Sequence, residues 1–193
     1  MGVSVPKKDA SVVGLLFGRE KDHYCSDWNY VLAIAKTGAR IMFLDYEHHR
    51  AQLADCDALV LPGGAFASPE KFYTDGKTER LSCPTQRSEA NAHRIWVVPD
   101  TPFAELMGKP ESMMVNSRHN EFLAPERVQR EELHLCDGDK LPFDIYATAT
   151  DGIPEAWGDM KNCILCVQWH PEDLTGSGRI PYQWVVEQAV LRH

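Results

Sequence analysis

Apolar residues along this chain recur in short continuous runs that are separated by polar turns. The first run is Val12–Phe17, the second is Arg40–Leu44, and the third, Asp57–Leu61, leads directly into Pro62-Gly63-Gly64. Continuous apolar runs of this length are typical of strands that are buried on both faces of a parallel sheet. We therefore predict three parallel strands in the first third of the chain.

Between the first two runs, apolar residues repeat at the spacing of an amphipathic helix. Ser26 or Asp27 is the predicted N-cap, and Gly38 is the predicted stop. The predicted core face consists of Trp28, Val31, Leu32 and Ala35. This order of one strand, one helix and two further strands is typical of the beginning of a doubly wound α/β fold.

The second half of the chain is less regular. Residues Phe66–His93 are polar and contain no helix longer than about two turns, which is a long interval for a loop in a compact domain. We expect Trp96, Trp157 and Trp169 to lie in the core. The remaining predicted elements are strands at Arg94–Val98, Asp144–Thr150, Ile153–Trp157 and Cys163–Trp169, with a helical turn at Pro102–Met107, a hairpin turn at Asp151-Gly152, and a last helix at Pro181–Leu191.

Length and charge narrow the class of protein. At 193 residues the chain suits one α/β domain, so we predict a single domain over residues 1–193. A net charge of −8 without any cluster of Lys and Arg argues against a nucleic acid partner. No apolar stretch approaches the roughly 20 residues of a membrane span, and the N-terminal segment lacks a cleavage signal. We expect no membrane association and a cytoplasmic location.

The six cysteines are scattered, without the dense spacing of a disulfide scaffold, which fits a reducing compartment. Cys163, Cys166 and His170 could supply three zinc ligands. However, no second ligand pair lies at a suitable spacing, and a strand would point the two cysteines to opposite faces. We therefore predict no metal site and no cofactor.

The strongest chemical signal is at the end of the last predicted strand. The apolar run stops at His170, and Glu172 follows two residues later. A histidine with a neighbouring carboxylate is the base and its orienting acid in many nucleophilic sites. The alternative is that both side chains serve only local packing and hydrogen bonding.

Four segments stand in the order found in one protein family: DALVLPGG, VNSRHNEF, ATDGIPEAW and ILCVQWHPED. Together they resemble the class I glutamine amidotransferases, and most closely their γ-glutamyl-peptide hydrolase branch, over most of residues 12–191. The resemblance implies a three-layer, flavodoxin-like α/β sandwich with a mainly parallel central sheet. It also implies glutamine or another γ-glutamyl compound as the small-molecule ligand.

The resemblance further implies roles for single residues. His170 matches the general base, and Glu172 matches the carboxylate that orients it. Gly63 and Gly64 match the turn whose backbone N–H contributes to the oxyanion hole.

Ser117 and His119 match the substrate-side motif, in which Asn120 and Glu121 replace the usual histidine and glutamine. Residues two apart in a strand point the same way, so a serine–histidine pair at Ser117 and His119 is an alternative.

The nucleophile is where the chain departs from the family. Between the positions of Tyr73 and His93, relatives have a strand, a sharp turn that exposes the cysteine, and a helix whose N-terminus lowers the pKa of that cysteine. Here the interval contains one cysteine, Cys83. No glycine flanks it, no apolar strand precedes it, and Pro84 follows it. The resemblance therefore implies a sheet shortened by loss of this elbow strand and helix. Edges left open in this way could be covered in a homodimer.

We accordingly predict a γ-glutamyl-peptide hydrolase-type protein that is catalytically degenerate, a pseudoenzyme with a base but no nucleophile elbow. Two alternatives stay open. One is an active γ-glutamyl hydrolase with Cys83 as a rearranged nucleophile, although a loosely held thiol loses much of the advantage of orientation. The other is a binding or regulatory module that keeps the γ-glutamyl pocket without catalysis.

Overall fold

A computed structural model describes most of the secondary structure of the chain. The described residues are 9–16, 24–44, 49–63, 73–74, 88–117, 119, 122–123, 143–174 and 176–191. They form two compact units. The first unit combines Met1–Phe66 with Arg179–His193, and the second unit is Ala67–Gly178.

The first unit has a parallel sheet of three strands with the order β2-β1-β3. Its predicted opening of strand, helix, strand and strand is confirmed, and a short helix, α2, occupies part of the polar segment before the third strand. The elements are β1 (Val12–Leu16), α1 (Tyr24–Ala35), β2 (Arg40–Leu44), α2 (His49–Leu53), β3 (Ala58–Val60) and the C-terminal helix α4 (Ile180–Leu191).

Helix α1 buries a different face from the predicted one. Tyr30 and Ile34 are buried in one cluster with Val13 and Leu15 of β1, whereas Trp28 is 59% exposed. Every position from 30 to 35 is apolar, so the spacing alone fits more than one face, and contact with the sheet selects between them. The helix begins at Tyr24, before the predicted cap. Its predicted stop is confirmed, because Gly38 has a left-handed backbone (φ +85°).

The second unit contains a sheet of five antiparallel strands with the order β10-β9-β8-β5-β6 and a two-stranded pair of β4 with β7. Among the described strands, parallel pairing is therefore confined to the first unit. No helix in the described ranges is long and apolar enough to cross a membrane. The elements are β4 (Tyr73–Thr74), β5 (Ser88–Val97), α3 (Pro102–Leu106), β6 (Ser112–Ser117), β7 (Phe122–Leu123), β8 (Asp144–Ala149), β9 (Pro154–Asp159) and β10 (Ile164–Val167).

The hairpin predicted around Asp151-Gly152 is confirmed by the antiparallel pairing of β8 with β9. Strand β5 begins at Ser88, earlier than the predicted Arg94. Of the six added residues only Ala90 and Ala92 are apolar, and both are small, so the apolar signal of a strand is weak there. The predicted loss of the elbow strand and helix falls largely on residues 75–87, which lie outside the described residues, and it stays a prediction.

The core of the second unit is centred on aromatic side chains. Phe103 stacks on Tyr146 with ring centroids 6.0 Å apart, and it meets Trp169 edge to face at 6.3 Å. Trp169 is buried as predicted and Trp157 is half-buried, but the prediction for Trp96 is wrong, since this residue is 43% exposed. It lies on the opposite face of β5 from the buried residues on either side of it.

The last predicted strand is shorter than expected. Strand β10 begins at Ile164, and Cys163 precedes it in a left-handed turn (φ +61°) that ends a 3-10 helix at Met160–Asn162. Asp159 caps this helix by accepting a hydrogen bond from the backbone N–H of Asn162 at 3.2 Å. Among the described strands β10 pairs with β9 alone, and its residues are half-buried instead of fully buried.

Substituting Gly158 by alanine is expected to destabilise the second unit by about 3 kcal/mol. Gly158 has φ +150°, and an added Cβ would overlap the carbonyl oxygen of Ile164 in the adjacent strand. Urea unfolding of both Gly158→Ala and Gly152→Ala measures the effect. Gly152 also has a positive φ (+82°), but its Cβ would meet nothing within 4 Å, so about 1 kcal/mol is expected there. Equal losses in the two variants would contradict the close approach of β9 and β10.

Candidate active site

His170 lies just beyond the end of β10, where the chain leaves the sheet. The backbone N–H of Gln168 donates to the carbonyl of Glu155 at 2.8 Å, which extends the β9–β10 pairing past Val167. Trp169 and Pro171 are both buried. The side chain of His170 stands between these two anchors and keeps 20% of its surface exposed.

His170 and Glu172 form a close pair. The 3-10 helix Pro171–Asp173 follows His170 directly and carries the carboxylate back toward the imidazole. His170 Nδ1 lies 2.6 Å from Glu172 Oε1, and the Glu172 side chain is only 1% exposed. A carboxylate that accepts a hydrogen bond from Nδ1–H selects the tautomer with its lone pair on Nε2, which is the form that a general base needs.

Asn116 holds the backbone of His170 on both sides. Asn116 Nδ2 donates to the His170 carbonyl oxygen at 2.9 Å, and the His170 N–H donates to Asn116 Oδ1 at 2.9 Å. Asn116 is fully buried in β6. The resemblance assigned no role to this residue although it lies within the VNSRHNEF segment.

A second histidine–carboxylate group is buried in the same unit. Glu155 of β9 is fully buried, and its Oε1 lies 3.2 Å from His93 Nε2 and 3.8 Å from His119 Nε2. Burial raises the pKa of Glu155, and the nearby Asp151 raises it further. The hydrogen bond and charge of His93 oppose these effects only in part.

Sequence reasoning did not single out His93 or Glu155. A signal was available, because Glu155 interrupts the apolar residues of the predicted strand Ile153–Trp157, and a buried glutamate requires a polar partner. His119, expected on the substrate side, lies against this carboxylate with its side chain 7% exposed.

The other residues expected at the site are placed as follows. Ser117 is fully buried at the end of β6. In the first unit, the N–H of Gly63 donates to the hydroxyl of Tyr30 at 3.1 Å. Gly64 and Cys83 lie outside the described residues. The oxyanion, substrate-binding and nucleophile roles of these residues stay predictions.

Two of the described thiols, Cys56 and Cys166, are poorly suited to nucleophilic attack. Burial raises the pKa of Cys166 to about 11, so at pH 7 only about one thiol in ten thousand is ionised. Burial, followed by the charges of Asp55 and Asp57, raises the pKa of Cys56.

Within the described residues, the single group of side chains that could hold a metal ion is His170, Glu172 and Asp173, with ligand atoms within 4.8 Å of one another. The hydrogen bond between His170 and Glu172 already accounts for the closeness of that pair. Cys163 and Cys166 are not part of this group, so the structure does not assemble the candidate zinc ligands of the sequence.

Replacing Glu155 by glutamine should change how stability depends on pH. The pKa of Glu155 is higher in the folded protein than in the unfolded chain, so the protonated carboxyl group favours the folded state. This contribution to stability is complete below the unfolded pKa of about 4.3 and is lost as pH rises through the folded pKa. Relative to Glu155→Gln, the wild type should therefore lose up to about 1.4 kcal/mol per pH unit in this window. Urea unfolding of both proteins between about pH 5 and pH 8 measures the difference.

Glu111→Gln provides a control for this measurement, because it removes one negative charge from an exposed position in the same unit. Parallel stability profiles for the wild type and Glu155→Gln would contradict the raised pKa.

Comparisons with known proteins agree with this architecture. The glutaminase domain of Trypanosoma brucei CTPS with bound acivicin is 12% identical, with 94% of each chain covered and a TM-score of 0.71. A GMP synthase component from Thermoplasma acidophilum is 13% identical, with 96% of this chain and 97% of that chain covered and a TM-score of 0.61. At such identities the likeness concerns the fold, and it confirms the predicted α/β glutamine amidotransferase-like fold.

No curated protein matches the chain. The sequence profile of the peptidase C26 family matches residues 75–172, which is just over half of the chain and includes both His170 and Glu172. This chain therefore belongs to the peptidase C26 family of class I glutamine amidotransferase-like proteins.

Proposed function

We propose that this protein is a catalytically degenerate member of the γ-glutamyl-peptide hydrolase type. The observation that carries the proposal is the 2.6 Å pair of His170 and Glu172, with its carboxylate almost completely buried. This arrangement holds a general base in one tautomer within a family of class I glutamine amidotransferase-like proteins. The similar fold of a glutaminase domain supports a γ-glutamyl amide as the substrate class.

In an active site of this type, a cysteine thiolate attacks the γ-carbonyl carbon of the substrate. The C–N bond breaks as the protonated histidine gives its proton to the leaving amine, and water then releases glutamate from the acyl-enzyme. His170 would exchange these protons at Nε2 while Glu172 stabilises the imidazolium.

Neither Cys166 nor Cys83 has the surroundings of an activated nucleophile. Cys166 keeps its proton at neutral pH because its pKa is raised by burial. Cys83 has neither the flanking glycines nor the preceding apolar strand of a nucleophile elbow. Since loss of one member of a catalytic triad leaves only a small residual rate, an oriented base without a thiolate does not sustain turnover.

The proposal predicts no enzymatic release of glutamate from glutamine or from γ-glutamyl amides. The rate should be at least about 10⁴-fold below that of a complete triad, and Cys83→Ala and His170→Ala should not lower it further. A coupled assay for free glutamate on the three proteins provides the measurement.

Release that disappears in Cys83→Ala would replace the proposal with a rearranged thiol hydrolase. Release that disappears only in His170→Ala would point to another nucleophile and would equally contradict degeneracy. Calorimetry with glutamine and γ-glutamyl compounds adds a second distinction. Saturable heat without glutamate release identifies a binding or regulatory module.

A further inference from the structure

We propose that Asn116 is the positioning residue of His170, because its side-chain amide fixes the backbone that carries the imidazole. This inference rests on the proposed role of His170 as the base. The geometry behind it is a pair of hydrogen bonds, both 2.9 Å, that joins one side chain to both backbone polar groups of a residue 54 positions away.

The two bonds lie on either side of the His170 Cα atom. One holds the N–H and the other holds the C=O, so together they restrain both backbone dihedrals of His170 (φ −106°, ψ 87°). These dihedrals belong to neither a strand nor a helix, and His170 makes no side-chain cap to the 3-10 helix that it precedes. The direction of the imidazole relative to Glu172 depends on the same dihedrals, because the two side chains are only two residues apart.

An amide suits this task better than other side chains of similar size. Asparagine offers one acceptor and two donors, whereas ionised aspartate only accepts and leucine does neither. A fully buried amide is costly unless it is hydrogen-bonded, so the conformation that satisfies Asn116 is strongly preferred. Its neighbour in β6, Val115, is also fully buried and keeps the strand in place.

Asn116→Ala tests the proposal through the imidazole itself and not through turnover. Nitrogen-15 NMR of the wild type should show His170 with its proton on Nδ1, and hydrogen exchange at this proton should be about tenfold faster in Asn116→Ala. Asn162→Ala is the matched control. This exposed asparagine of the same unit bonds to Asp159 through its side-chain amide at 2.7 Å. Its substitution should leave the His170 signal unchanged.

A purely structural role for Asn116 would lower the unfolding temperature and leave the His170 tautomer and its proton exchange as in the wild type, which would overturn the proposal. If Asn116→Ala does not fold, Asn116→Asp keeps the acceptor for the His170 N–H and loses the donor to its carbonyl. It should retain backbone amide protection at His170 while the Nδ1 proton exchanges faster.

Amide hydrogen exchange of the wild type gives an independent check. The His170 N–H should be protected to a degree similar to that of the Gln168 N–H, and rapid exchange at His170 would also overturn the proposal. Because none of these readouts requires turnover, glutamate release by the wild type would refute the proposed degeneracy and leave the role of Asn116 standing.

Discussion

The arrangement of the second unit follows from the need of buried backbone N–H and C=O groups for hydrogen-bond partners. At His170 the chain has left the sheet, and Asn116 supplies the partners that a neighbouring strand would otherwise provide. In the strand order, β6 and β10 are the two outer strands of the five. Outer strands of a flat five-stranded sheet would lie about 19 Å apart at about 4.8 Å per strand, so this contact requires a curled sheet. The same contact places the histidine–carboxylate pair.

A second polar group, around Glu155, is buried in the same unit. Residues from β5, β9 and the segment after β6 meet there, although these elements are far apart in sequence. One oxygen of the carboxylate faces both imidazoles. In the described part of the chain, Glu155 Oε2 and His93 Nδ1 have no hydrogen-bond partner. The second unit therefore contains two histidine–carboxylate groups with different surroundings. The group at His170 reaches the surface, and the group at Glu155 does not.

The two groups show why family membership and activity are separate questions. The fold and the family are shared with class I amidotransferase-like proteins, and His170 and Glu172 form a close pair. Catalysis also needs a nucleophile whose pKa is lowered by its surroundings. Burial acts in the opposite direction on Cys166, since a thiolate is poorly solvated inside the sheet. Cys166 is therefore a poor candidate for the nucleophile.

The sequence alone determined the local features that depend on neighbouring residues. These are the positions of the first three strands, the helix stop at Gly38, the hairpin at Asp151-Gly152 and the closeness of His170 to Glu172, each within a few residues of its signal. The tertiary structure alone decided which face of α1 is buried, because several faces of that helix are apolar. It also decided the exposure of Trp96 and the start of β5 at a polar residue. The contacts of Asn116 with His170 and of His93 with Glu155 likewise depend on the tertiary structure. Such contacts join residues tens of positions apart, and the curl of the sheet that creates them leaves no periodic pattern in the sequence.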